Sequence, residues 1–262
     1  MTAPVIEVID LVTHYGKRKV LDGVNMSVDQ GEIRIIMGGS GSGKSTLLRY
    51  MLGLNRPTQG AVKILGSDIA HATASERHEL RKNIGVSFQS GALFTSMTVG
   101  ENVRLPLREH TDLNEQTMAI MARLKLEVVN LSGFEDFMPA QLSGGMIKRV
   151  ALARAIVMDP KLLFFDEPSA GLDPVVAAEL DELILRLRDA MNMTIVVVTH
   201  ELESAFKIAD SITVLDQGQV LTTGSVEAVQ NSPLPRVQDL LHRRARTEEI
   251  DPDAYLRRLT AD

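Results

Sequence analysis

The sequence contains the segment Gly38-Gly39-Ser40-Gly41-Ser42-Gly43-Lys44-Ser45-Thr46, which matches the pattern G-x-x-x-x-G-K-[ST]. An apolar, strand-like run from Ile33 to Met37 precedes it, and a helix-like run from Leu47 to Leu52 follows. Glycines leave the backbone uncovered, so that successive N–H groups can converge on phosphate oxygens at the positive end of a helix. The segment therefore predicts a phosphate loop rather than a simple helix-capping turn. In such a loop Lys44 reaches the β- and γ-phosphates of a nucleoside triphosphate and the Ser45 hydroxyl binds Mg²⁺.

The composition is that of an ordinary globular protein. The chain has 262 residues, of which 44% are apolar and 24% are charged, and this argues against a disordered or fibrous class. Its length allows one large α/β domain or two small ones. The net charge of -6 argues against a general nucleic-acid surface, so no nucleic-acid partner is expected.

The cysteine count and the apolar runs limit the chemistry and the location. With no cysteine, the chain has no disulfide, thiolate zinc site or cysteine nucleophile, which suits a reducing compartment. The first residues lack the features of a signal peptide, and no run approaches the ~20 apolar residues of a membrane span. Any role at a membrane is therefore expected to depend on a partner.

A second candidate site segment is a buried strand from Leu162 that ends in Asp166 and Glu167. In a P-loop protein such a strand end delivers an aspartate to Mg²⁺, here Asp166, and Glu167 is the candidate to polarise the attacking water. A helix-capping acidic pair is disfavoured because the next helix begins only near Val175. His200 ends another buried strand, Thr194 to Thr199, and is expected on the same side of the sheet.

Two further residues have open interpretations from the residues alone. Tyr15 either stacks on a base or covers a sheet edge, and the residue type favours the second. Gln89 follows the strand Ile84 to Phe88 and is either a turn residue or a polar group aimed at the site.

From Ser90 to Gln141 the pattern favours helices, near Thr98 to Leu105 and Asn114 to Val128, and predicts a helical insert. The apolar residues of the second helix are expected to pack in the core; they are Met118, Ile120, Met121 and Leu124. Leu142-Ser143-Gly144-Gly145-Met146 then opens a helix through Val157, with Ser143 as its cap, and this gives a second helix N-terminus suited to an anion.

The sequence from Ser211 predicts a hairpin around Gln217-Gly218 and a short helix from Ser225. From Pro233 the composition turns polar and favours a solvated helix and tail. Five apolar or aromatic residues leave a docking role open, and they are Leu240, Leu241, Tyr255, Leu256 and Leu259.

These segments, in this order, resemble the ATP-binding subunit of ABC transporters over nearly the whole chain. The resemblance implies an α/β fold, a P-loop NTPase of ABC type with a RecA-like core, an antiparallel β subdomain and a helical subdomain insert. It implies an ATPase domain at residues 1–232, with the helical subdomain at about 90–158, and a C-terminal helical and polar tail at 233–262.

The same resemblance implies roles for the site residues. It implies that the phosphate-loop residues, including Thr46, bind ATP, that Tyr15 lies on adenine and that Asp173 contributes to nucleotide binding. It implies that Ser45, Gln89 and Asp166 bind Mg²⁺. It also implies that Glu167 is the general base and that His200 contacts the γ-phosphate. It further implies that Ser143, Gly144 and Gly145 contact ATP held by the opposite protomer of a head-to-tail homodimer. Met146 departs from the family's usual glutamine.

A closer likeness concerns Gln89 to Val99, Pro106 to Thr111 and Leu142 to Met146, which look like the ATPase of the bacterial Mla/Mce lipid-transport systems. It implies an integral-membrane permease of the Mla type (MlaE-like), an MCE-domain lipid-binding protein, a possible STAS-domain subunit and a peripheral location at the cytoplasmic face of the inner membrane. Leu93, Phe94 and Met97 are expected to be exposed as a socket for the permease. The alternatives are an ATPase for a small soluble solute, a non-transport ABC protein and, less favoured, a P-loop kinase.

Overall fold

The fold is given by a computed structural model, which describes residues 3–244 of the chain. Within these residues, ten strands form one sheet of six strands and one of four. The strands are β1 (Ile6–Tyr15), β2 (Arg18–Val28), β3 (Ile33–Met37), β4 (Gln59–Ile64), β5 (Ser67–Asp68), β6 (Ile84–Ser87), β7 (Leu162–Asp166), β8 (Thr194–Val198), β9 (Ser211–Asp216) and β10 (Gln219–Gly224). The α-helices are α1 (Lys44–Met51), α2 (Ala74–Lys82), α3 (Val99–His110), α4 (Glu115–Val128), α5 (Gly144–Ala155), α6 (Pro174–Met191), α7 (Leu202–Ile208), α8 (Val226–Gln230) and α9 (Pro235–Leu241).

The larger sheet positions the candidate site. Its order is β10-β9-β3-β8-β7-β6, and its strands from β9 to β6 are parallel. Strands β3 and β8 are buried along their whole length, which explains why they are apolar at every position except Arg34 and Thr194. Since carboxyl ends of parallel strands share one edge of a sheet, Gly38, Gln89, Asp166 and His200 all leave the sheet at that edge.

The smaller sheet is antiparallel, in the order β2-β1-β4-β5. Its buried side chains share a core with α1, to which the helix contributes Leu47, Leu48 and Met51. Strands β1 and β2 form a long hairpin and pair as far as Tyr15 with Arg18. The end of this hairpin carries few apolar residues, so its pairing leaves no hydrophobic pattern in the sequence.

Three helices, α3, α4 and α5, fill the chain between β6 and β7, as the predicted helical insert requires. The predicted cap of α5 is confirmed, because the Ser143 side chain accepts a hydrogen bond from the backbone N–H of Met146 at 3.3 Å. Helix α3 begins with a capping box of Thr98 and Glu101. It continues past Pro106 to His110, beyond the predicted end, while Val103 and Leu107 are held in the core.

The expected packing of α4 is wrong for two of its four residues. Ile120 and Leu124 are 52% and 55% exposed. The buried face of α4 instead presents Met118, Ala122 and Leu126, four residues apart on one side of the helix. Because the middle residue of this face is alanine, the face is not recognised when only large apolar residues are used to find the helical period.

The described part of the C-terminal segment is less solvated than its composition predicts. Val237 of α9 is fully buried, and Leu240 and Leu241 are partly buried against the main core. The Arg236 guanidinium lies 3.0 Å from the Asp216 carboxylate at the end of β9. The remaining residues of the docking prediction, Tyr255, Leu256 and Leu259, lie outside the described residues, and the proposed domain boundaries stay a prediction.

Candidate active site

A cavity of about 630 Å³ opens at the carboxyl edge of the parallel strands. It collects most of the predicted site residues from four different strand ends. Its polar and loop lining consists of Gly38, Gly39, Ser40, Gly41, Lys44, Ser45, Gln89, Asp166, Glu167, His200, Glu201 and Arg243.

A groove of about 320 Å³ begins at the same loop and runs along its outer side, lined by Gly41 to Thr46 together with Tyr15, Arg18 and Val20. The Tyr15 side chain is 49% exposed at the end of β1. The groove thus has an available aromatic ring beside the loop.

The loop between β3 and α1 has room only for glycine at two points. A Cβ at Gly38 would lie 2.0 Å from the carbonyl oxygen of Leu215 on β9. Gly43 precedes α1 with a φ of 107°, and a Cβ there would lie 2.6 Å from Leu21. The loop backbone therefore approaches its neighbours closely at these two glycines.

The Lys44 ammonium turns back onto its own loop. It donates hydrogen bonds to the carbonyl oxygens of Gly38 at 2.8 Å and Gly39 at 3.0 Å. Burial lowers the pKa of Lys44, and the nearby Glu167 and Asp166 carboxylates counteract this by favouring the charged form. The site thus holds a partly desolvated cation facing two carboxylates.

Asp166 and Glu167 are adjacent but differently held. Burial, and then the neighbouring Glu167, raises the pKa of Asp166 above its usual value. Glu167 has a left-handed backbone, with a φ of 51°, which turns its side chain towards β8. Its carboxylate accepts hydrogen bonds from the Thr199 hydroxyl at 3.1 Å and the His200 N–H at 3.3 Å, and it lies 2.8 Å from His200 Nδ1.

Sequence reasoning missed Lys148, which is 8% exposed on α5. Its ammonium donates to the carbonyl oxygen of Gln89 and, at 3.1 Å, to that of Glu167. Burial lowers the pKa of Lys148, and Glu167 and Asp166 counteract this. The available signal was its spacing, because Lys148 shares a helix face with the buried residues Ala151, Leu152 and Ala155.

Sequence reasoning also missed the contribution of α9. Leu240 comes within 3.6 Å of the position that a Gly39 Cβ would occupy, and Arg243 lines the cavity at 3.8 Å from the Glu201 carboxylate. The sequence leaves a docking role open for Leu240, but nothing after Pro233 indicates contact with the phosphate loop.

Four predicted nucleotide-binding residues line neither the cavity nor the groove beside it. They are Ser143, Gly144, Gly145 and Asp173. Ser143 caps α5, and the Asp173 carboxylate accepts hydrogen bonds from the backbone N–H groups of Val175 and Val176, both at 3.1 Å, at the start of α6. Within one chain, these residues stand at two helix starts apart from the phosphate loop.

A sequence profile described as ABC transporter matches residues 21–170, which include the phosphate loop, the strand ending in Asp166 and the start of α5. The chain belongs to the ABC transporter family. Among similar proteins, the intermembrane phospholipid transport system ATP-binding protein MlaF of Haemophilus influenzae is 42% identical over 92% of this chain and 91% of the relative. A probable ribonucleotide transport ATP-binding protein of Mycobacterium leprae is 39% identical over 91% of this chain and 69% of the relative.

Solved structures of ABC cassettes share the fold. One is a dimeric, post-hydrolysis state of an ATP-binding cassette bound to ADP and phosphate. It superimposes with a TM-score of 0.77, is 31% identical, and the match covers 84% of this chain and 98% of that chain.

The predicted fold class is therefore confirmed, and the chain is the ATP-binding subunit of an ABC transporter, an ATPase of a family whose cassettes form dimers. None of the helices among residues 3–244 is long and apolar enough to cross a membrane.

Proposed function

We propose that this ABC ATPase drives phospholipid transport between the membranes of a bacterial envelope. It would act as a peripheral homodimer at the cytoplasmic face of the inner membrane. The observation that carries the energy-coupling part is the convergence of Lys44, Gln89, Asp166, Glu167 and His200 on one cavity. The lipid part rests on the 42% identity to MlaF across nearly the whole length of both chains.

ATP binding is assigned to the phosphate loop and the groove beside it. The loop N–H groups and the Lys44 ammonium would take the phosphates, since both are donors at the start of α1. Lys44 would exchange its bonds to the Gly38 and Gly39 carbonyls for bonds to the β- and γ-phosphates. Tyr15 would stack on adenine across the groove.

The residues present fit a magnesium ion. Ser45, Gln89 and Asp166 line the same cavity and offer a hydroxyl, an amide oxygen and a carboxylate, the hard oxygen ligands that Mg²⁺ prefers. The ion would neutralise charge on the β- and γ-phosphate oxygens when bound.

The hydrolytic step is assigned to Glu167 as the general base. Its carboxylate is held by Thr199 and His200, so it can accept a proton from water without first having to be oriented. His200, whose side chain is 58% exposed, would contact the γ-phosphate from the same edge. Gln89 would align the attacking water.

The dimer is assigned a head-to-tail arrangement. Each chain has a phosphate loop in its cavity and a second glycine-rich helix start, Ser143 to Gly145, away from it. One nucleotide can therefore meet both helix starts only if the second comes from the partner protomer. Asp173, at the start of α6, would reach the nucleotide through the same interface.

Contact with a permease is assigned to the segment after Gln89. The expectation of three exposed residues there is corrected by the burial pattern, because Leu93 packs against the core and Met97 is partly buried. Phe94 is 51% exposed, and the buried Asn102 side chain fixes its backbone through hydrogen bonds of 2.8 and 3.0 Å. A fixed, exposed aromatic residue suits a socket for a permease of the Mla type (MlaE-like).

Purification from native membranes, through a tag on this chain, tests the whole proposal. The expected complex contains a permease and an MCE-domain protein, with phospholipid detected by mass spectrometry; a STAS-domain subunit is a further expected component. ATPase activity that responds to a ribonucleotide or to a soluble solute-binding protein, in a complex without an MCE-domain protein or bound lipid, would contradict the lipid assignment.

A further inference from the structure

Lys148 connects three parts of the molecule that meet at the active site. It lies on α5, the helix that begins at Ser143, and its ammonium donates to the carbonyl oxygens of Gln89 and Glu167. One hydrogen-bonded cation therefore joins the insert helix to the loop after β6 and to the end of β7.

A second basic residue of α5 holds the same loop. The Arg154 guanidinium donates to the carbonyl oxygens of Gly91 and Ala92, both at 2.7 Å. Gly91 also lies against α5, where a Cβ would come within 2.7 Å of Ile147. The segment Gln89 to Ala92 is thus attached to α5 at two points, and it cannot move without either carrying the helix or breaking these bonds.

The environment of Lys148 requires such partners. A buried ammonium is costly unless its donors are satisfied and opposite charge is near. Here two of its three donors meet carbonyl groups, and the Asp166 and Glu167 carboxylates favour its charged form. Loss of this cation removes both bonds at once, and the Glu167 carbonyl would then keep only its hydrogen bond from the backbone N–H of Ala170, at 3.3 Å.

We propose that Lys148 is a positioning residue, which ties the backbones of Gln89 and Glu167 to α5 so that the position of this helix sets the placement of both residues for hydrolysis. The inference rests on the proposed function, in which the start of α5 meets the partner's ATP. Arrival of that ATP would fix α5, and Lys148 would then fix the residues that align and activate water.

Kinetics of Lys148→Met in the transporter purified from native membranes test this role. We expect kcat to fall on the order of 10–100-fold, because a displacement of about 1 Å costs about that much in an oriented reaction. We expect the KM for Mg-ATP to stay within about threefold of wild type, because nucleotide affinity is assigned to the phosphate loop and Tyr15 and not to Lys148. Lys148→Arg, which keeps the charge and the donors, recovers a large part of the turnover.

Lys125→Met is the matched control. The Lys125 ammonium is also largely covered, with 15% side-chain exposure, and lies 2.5 Å from the Asp159 carboxylate away from Gln89 and Glu167. The turnover of the Lys125→Met variant is expected to match that of wild type.

Rates are expressed per nucleotide-binding site, so that partial unfolding does not lower them, and the shorter neutral variant Lys148→Gln provides a second test if Lys148→Met folds poorly. Wild-type turnover per site in Lys148→Met or Lys148→Gln overturns the inference. A loss that Lys148→Arg does not recover overturns it too, since it assigns Lys148 a packing role. Glu167→Gln in the same preparation distinguishes a failure of this inference from a failure of the proposed function. Normal turnover in Glu167→Gln would contradict the assignment of Glu167 as the general base. Loss of turnover in Glu167→Gln together with normal turnover in Lys148→Met would contradict only the role of Lys148.

Discussion

Lys44 and Glu167 line the same cavity, but the chemistry of their side chains separates nucleotide binding from hydrolysis. Lys44→Ala removes the cation that is proposed to contact the phosphates, and we expect it to abolish productive ATP binding. Glu167→Gln keeps the shape of the site but removes the proposed proton acceptor. We expect ATP to bind normally and turnover to fall by about 10²–10⁴-fold. Equilibrium binding and steady-state hydrolysis measured on both variants in the assembled complex check the pair.

Thr222→Ala, on β10 away from the cavity, is a suitable control for both measurements. Near-wild-type turnover in Glu167→Gln would contradict the assignment of Glu167 as the general base. ATP binding at wild-type affinity in Lys44→Ala would contradict the proposed contact between Lys44 and the phosphates.

The residues that the sequence located well are those fixed by local patterns. A phosphate loop or an acidic pair after an apolar strand carries its chemistry within a few positions, and the parallel sheet brings these segments to one edge. Lys148 and Arg243 carry no such pattern. Spacing places Lys148 on the buried face of α5, but the partners of both side chains depend on the packing of α5 and α9 against distant parts of the chain, which spacing does not reveal.

Strands β3 and β9 are joined by an ionic group that makes stability depend on pH. Burial by itself raises the pKa of Glu32, but hydrogen bonds from Ser211 and Arg34 outweigh it and hold the pKa below its usual value. The charged carboxylate therefore stabilises the fold above its unfolded pKa of about 4.3. This stabilisation is lost as the pH falls through the lower folded pKa.

Glu32→Gln should accordingly lower the free energy of unfolding by about 1–3 kcal/mol at pH 7. The difference from wild type should shrink as the pH falls below about 4. Denaturant titrations across this pH range measure both quantities, and a difference that persists unchanged at pH 3 would show that the charge is not its source.

The segment between β6 and α3 carries the predicted link to a permease. Phe94→Asp should leave ATP binding intact yet abolish the response of the ATPase to the permease, because a carboxylate would be buried without a partner in the contact. Ile9→Asp, a change at a 38% exposed residue of the smaller sheet, is the matched control. The measurement compares ATPase rates with and without the membrane subunits, and an unchanged ratio in Phe94→Asp would exclude this contact.

Helix α4 illustrates why element existence was easier to predict than element orientation. Its ends and its Asn114 cap follow from local residues, and the cap accepts a hydrogen bond from Thr117 at 2.9 Å. The face of α4 that is buried is determined by its contacts with α3 and α5. These contacts bury the face that carries the small Ala122 and leave Ile120 and Leu124 exposed.

At the scale of the whole molecule, the proposed head-to-tail dimer predicts that each ATP site contains residues from both chains. In a mixed dimer of Ser143→Arg and Lys44→Ala chains, a head-to-tail arrangement leaves one composite site with both lesions and one with neither. We expect about half of the wild-type turnover if the two sites act independently. Dimers purified with a different tag on each chain allow the measurement, and homodimers of each variant serve as inactive controls. If each lesion acted within its own chain, both sites would be damaged and turnover would be lost.

The partners of the parallel strand β3 also determine when the site can form during synthesis. Strand β3 pairs with β8 and β9, so the phosphate loop leaves the ribosome well before the strands that flank it and before Asp166, Glu167 and His200 are made. At about 5–20 residues per second, the delay is on the order of ten seconds. During that time ATP meets a loop without its supporting sheet. Any nucleotide affinity that depends on the complete sheet is therefore expected only after β9 has emerged.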